Sequence, residues 1–66
     1  MDKKEFYMKF KAFKRNQKCI RVVLKNTDVV FADDYENTKG ISKSVWLLWN
    51  KEKIAIIDFK NISFMD

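Results

Sequence analysis

Apolar residues fall in short runs along most of this chain, and the densest lie in its second half. Val45–Trp49 and Ile54–Phe59 are joined by the polar stretch Asn50-Lys51-Glu52-Lys53, and Ile62–Met65 follows after Lys60-Asn61. Runs this short, rich in Val, Ile, Trp and Phe and bounded by turn residues, read as strands rather than helices. They are apolar on both faces, so the remainder of the chain must cover them. Upstream, Ile20, Val22 and Leu24 face one way and Arg21 and Lys25 the other, which predicts a strand over 19–25. Asn26-Thr27-Asp28 is a turn signal, and strand character resumes over 28–35. A polar loop over 36–44 holds the only glycine, Gly40, the natural place for a positive φ.

The N-terminal segment supports two periods. Asp2-Lys3-Lys4-Glu5 matches a capping box, and Phe6, Phe10 and Phe13 then recur at helical spacing, with Lys4, Lys11 and Arg15 on the other side. Phe6, Met8, Phe10 and Ala12 also alternate with Tyr7, Lys9 and Lys11, as in a half-buried strand. The cap and the good helix formers Lys and Ala favour the helix. The expected fold is therefore mainly β: one helix, then five short antiparallel strands over 19–25, 28–35, 44–50, 53–59 and 61–65, curled into a small barrel. The alternative is an all-β fold with residues 5–13 as a strand. In either case the phenylalanine stripe lines the core.

Sixty-six residues form one domain, 1–66, whose single core is worth roughly 3–5 kcal/mol. Cys19 is alone and there is no histidine, which leaves neither an intramolecular disulfide nor a zinc set to support so small a fold. Self-association is the remaining aid, so a homo-oligomer is expected. No apolar run approaches the ~20 residues that span a bilayer, and the charged start has no signal-peptide core. Together with the lone thiol, this predicts a soluble cytoplasmic protein with no membrane partner.

The order of elements, a helix and then five strands with a very short last connection, resembles the Sm/LSm family of small RNA-binding barrels. Ile20-Arg21-Val22-Val23-Leu24-Lys25-Asn26 is similar to that family's first strand and turn, and Asp58–Met65 to the segment joining its last two strands. The resemblance implies an SH3-like or Sm-like barrel. Ala32 stands nearest the place of the family's second-strand glycine, and Asp33-Asp34-Tyr35-Glu36-Asn37 falls several residues before the family's similar motif. The family's base pocket and ring assembly are therefore not among the implications.

Charge adds the functional clue. The net charge is +5, but residues 1–25 hold nine cations against two acids, and residues 26–66 five against seven. A basic surface of this kind attracts phosphate backbones or an acidic protein partner. Candidate nucleic-acid-binding residues are Lys9, Lys11, Lys14, Arg15, Arg21 and Lys25, with Trp46 as a stacking platform for a base. Trp46 and Trp49 fall on opposite faces of a regular strand, so at most one can point inward. No histidine is present for acid–base work, and Cys19 has no partner base. Asp33 and Asp34 alternate to opposite faces, and no glycine-rich loop can cradle a phosphate. An enzyme, a cofactor, a metal and a small-molecule substrate are accordingly not expected. Two functions remain: a non-catalytic nucleic-acid-binding barrel for single-stranded RNA or DNA, or a protein-interaction module that regulates or inhibits a partner through a sheet edge or the apolar surface around Val45–Trp49.

Overall fold

The computed structural model describes residues 1–38 and 43–66; the positive φ expected at Gly40 lies outside them. The first element, α1 (Lys3–Asn16), settles the two-period ambiguity in favour of the helix. Asp2 is its N-cap, with extended backbone and a carboxylate that accepts the Glu5 N–H at 2.8 Å. Glu5 pairs along the helix with Lys9 at 3.1 Å. At the other end the Gln17 N–H donates to the Phe13 carbonyl, and Lys14 and Arg15 offset the negative pole of the last turn.

Six strands follow. They are β1 (Ile20–Leu24), β2 (Val29–Ala32), β3 (Asp34–Asn37), β4 (Ser44–Trp49), β5 (Glu52–Asp58) and, after a 3-10 turn at Phe59–Asn61, β6 (Ile62–Met65). They form two antiparallel three-stranded sheets, β2-β1-β6 and β3-β4-β5. The expected strand over 28–35 is thus two strands. The ribbon bends at Asp33, so β2 serves the first sheet and β3 the second. The bend keeps its backbone satisfied, because the Asp33 N–H donates to the Leu48 carbonyl at 2.9 Å.

The expected closed five-stranded barrel is corrected as well. The described ladders stop at β5 on one side and β6 on the other, and the sheets do not close. The 3-10 turn is the physical reason: it turns the chain away from β5, drives Phe59 into the core and delivers β6 to β1.

Two left-handed residues, Asn50 (φ 52°) and Lys51 (φ 69°), form the two-residue tip between β4 and β5, the geometry that matches strand twist. Thr27 (φ 73°) does the same between β1 and β2, where the Asp28 N–H donates to the Asn26 side chain. The inner faces of both sheets and the helix stripe enclose one core of Phe6, Phe10, Ile20, Val22, Ala32, Val45, Leu47, Phe59, Ile62 and Met65. Phe6 packs within 6 Å, ring centre to ring centre, of Tyr7, Phe10, Tyr35 and Phe59, and Tyr7 stacks on Tyr35 at 5.1 Å. This aromatic group seats the helix on β3 and the 3-10 turn. No helix among the described residues is long and apolar enough to cross a membrane.

Candidate functional site

The residues singled out from the sequence divide by environment. Three cations are held by carboxylates: Lys9 by Glu5, Lys14 by Asp34 at 3.0 Å, and Arg21 by a two-pronged contact with Asp66 at 2.7 and 2.5 Å. Lys11 and Arg15 stand exposed on the outer side of α1, with no carboxylate partner among the described residues. Lys25 sits in the β1–β2 turn, a full strand length of about 16 Å from the end of β1 nearest the helix. Trp46 lies half-buried on the outer face of the second sheet, with the Lys53 ammonium 5.2 Å from its ring centre. The seven residues therefore occupy separate faces, and only the α1 group is contiguous.

Structure adds a second tryptophan to that group. Val45 and Leu47 take the inward positions of β4, and neither Trp46 nor Trp49 enters the core. Trp49 ends β4 where the helix cover runs out and is 39% exposed. It lines an open groove of about 690 Å³ between the C-terminal end of α1 and the β4–β5 tip, together with Lys14, Gln17, Lys18, Asn50 and Lys51. Asp33 and Asp34 form the acidic part of the lining.

Both acids are already engaged. The Asp33 carboxylate accepts the Asn50 N–H at 3.1 Å and so fixes the hairpin tip. Burial alone would push the Asp34 carboxyl up, but the Tyr35 N–H and the Lys14 ammonium outweigh it and hold the group below the usual carboxylate range. Lys18 and Lys51 have no carboxylate partner among the described residues. The groove thus presents an exposed indole flanked by two uncommitted ammonium groups, with Lys11 and Arg15 extending the positive field along the helix. Such a surface can stack a flat ring and hold phosphates on either side of it.

The candidate residues taken from the sequence include Trp46 rather than Trp49, and leave out Lys18 and Lys51. The available signals were the position of Trp49 beside a hairpin tip, and the spacing of Lys18 four residues after Lys14. Among the described residues, no group of three or more His, Cys, Asp or Glu side chains is placed to hold a metal ion. No protein-family model, curated protein or solved structure matches this chain.

Proposed function

We propose that this protein is a non-catalytic binder of single-stranded nucleic acid, RNA or DNA, which enters the groove between α1 and the β4–β5 tip. The observation that carries this reading is the meeting of an exposed Trp49 with Lys18 and Lys51 on a wall whose acids are already bonded. A base stacks on the indole, a contact worth about 1–3 kcal/mol. Flanking phosphates meet Lys18 and Lys51, and the next ones reach Arg15 and Lys11. The predominance of lysine over arginine suits backbone tracking without base readout. A chain that bends at Asp33 between two small sheets, with a helix seated over their shared core, also supports a kinship with Sm/LSm-like barrels in an opened form.

Titration of fluorescent single-stranded oligonucleotides at several salt concentrations tests the proposal. Binding should weaken linearly on a log–log plot as salt rises, with a slope of about −0.7 per neutralised phosphate contact, and Lys18→Glu with Lys51→Glu should remove it. A salt-independent signal, or one indifferent to these changes, would refute it.

A second reading, a regulatory protein-interaction module, is favoured by one observation. Ile54 and Ile56 stand 44% and 46% exposed beside Trp46 on β5, a strand with an open outer edge. An extended segment of a partner could add to that edge. Ile56→Lys should abolish capture of such a partner and leave oligonucleotide binding intact.

A further inference from the structure

The outer face of the first sheet carries chemistry opposite to that of the groove. On this face Arg21 lies across from Phe31, and Val23 across from Val29 and Phe64. Phe31 is 54% exposed and Phe64 45% exposed, while Val29 is exposed and Val23 half-buried. Val29, Val23 and Phe64 form one cross-strand row, and Phe31 stands next to Val29 along β2 in the adjoining row, which the Arg21–Asp66 pair completes. Isolated exposed apolar residues are ordinary, but a contiguous group on a sheet face marks an interaction surface.

Charge identifies the occupant. The strands of this sheet and the β1–β2 turn hold Arg21 and Lys25 against Asp28, and Asp66, bonded to Arg21 just beyond β6, balances the second cation, so the face is neutral on a chain of net charge +5. The α1 surface, with six cations and one acid, repels its own copy. A partner selected by charge would be drawn to that helix and would find nothing to grip on the first sheet. The neutral face, with its own cation and its own anion, is where two identical molecules can approach with the least repulsion and pair each cation with the other copy's anion.

We infer that the outer face of the β2-β1-β6 sheet is the contact surface of a homodimer, with Phe31 and Phe64 as its anchors. The footprint sets the strength. Three strands about 4.8 Å apart and five residues of about 3.3 Å cover roughly 14 × 16 Å. Even after allowance for side-chain relief this is well short of the ~800 Å² per partner of a standard interface, so the dimer dissociates with a constant of roughly tens to hundreds of micromolar. The dimer leaves the groove beside Trp49 open on each copy, and the inference stands independently of what that groove binds.

Sedimentation velocity from about 5 µM to about 500 µM tests it, a range that brackets such an affinity. The unaltered chain should shift from monomer to dimer across the range, and high salt should leave the shift unchanged or strengthen it. Phe31→Lys and, separately, Phe64→Ser should each raise the dissociation constant at least about tenfold. Met8→Lys, a change at an exposed apolar position on α1, should have no effect. Phe31 and Phe64 lie outside the core, so each variant should keep the unaltered chain's circular dichroism spectrum; the second substitution stands if the first does not fold. A monomer at every concentration overturns the inference. So does a dimer that is indifferent to both phenylalanine changes, or one that is lost only with Ile56→Lys on the other sheet.

Discussion

The helix α1 carries six cations and one acid, whereas the strands of the first sheet, their turn and the adjoining Asp66 carry two of each. Both regions contribute to one core, through Phe6 and Phe10 on the helix and Ile20, Val22, Ala32, Ile62 and Met65 on the sheet. Their outward faces diverge. The helix side and the groove below it present lysines around an exposed tryptophan, and the sheet side presents phenylalanine and valine with compensated charge. The lesson is that net charge describes a small protein poorly. A value of +5 is the sum of one strongly basic surface and a neutral one, and the two suit the different partners proposed for them, a polyanion and a second copy.

The most damaging test removes the bond between the regions. Phe10→Ala, at a fully buried position, should cost about 3–5 kcal/mol, comparable to the whole stability of a domain this size. Chemical denaturation should then show a chain that is unfolded or nearly so, with groove and sheet face lost together. If the helix alone detached and the sheets survived, the shared-core account would be wrong.

A smaller change separates the faces. Reversing both Lys18 and Lys51 to Glu should lower oligonucleotide affinity by about 100-fold or more in low salt and leave dimerisation untouched, as sedimentation would register. Trp49→Ala should lower affinity by roughly 1–3 kcal/mol with little change in the salt slope, because stacking releases no counterions. Calorimetric titration distinguishes that from a charge effect.

The smallest effect concerns the tie between α1 and β3. The Asp34 carboxyl lies below its unfolded value in the folded protein, so its contribution is present above about pH 4 and lost as pH falls through the folded value. The Lys14–Asp34 pair is about half exposed, so solvent screening limits it to less than about 1 kcal/mol. Asp34→Asn should flatten the acid limb of thermal stability below pH 4 by that amount, as melting curves across pH would show.

Much of the fold is legible in the sequence. The helical spacing of Phe6, Phe10 and Phe13, the cap at Asp2, and the turns at Asn26 and Asn50 each express a local preference that survives packing. The bend at Asp33 is not legible. A ribbon that passes from one sheet to another keeps its alternation, so Val29–Tyr35 reads as a single strand. Nor is the open seam between β5 and β6 visible, since it depends on where a 3-10 turn aims the chain. The site is the least legible part. Counting cations cannot reveal that Lys9, Lys14 and Arg21 are held by acids, two of them distant in sequence. Strand parity allows at most one of the two tryptophans to point inward, and in the structure neither enters the core. It does not show that Trp49, at the end of β4, lies in the groove with Lys18 and Lys51 while Trp46 is covered by Lys53.

The groove is tested most directly by the emission of Trp49 itself, isolated in a Trp46→Phe variant. Addition of a single-stranded oligonucleotide should quench that emission saturably, with an apparent affinity that falls steeply as salt is raised. Emission that stays unchanged while oligonucleotide binding is detected by another probe would contradict the account, as would a complete lack of binding in low salt.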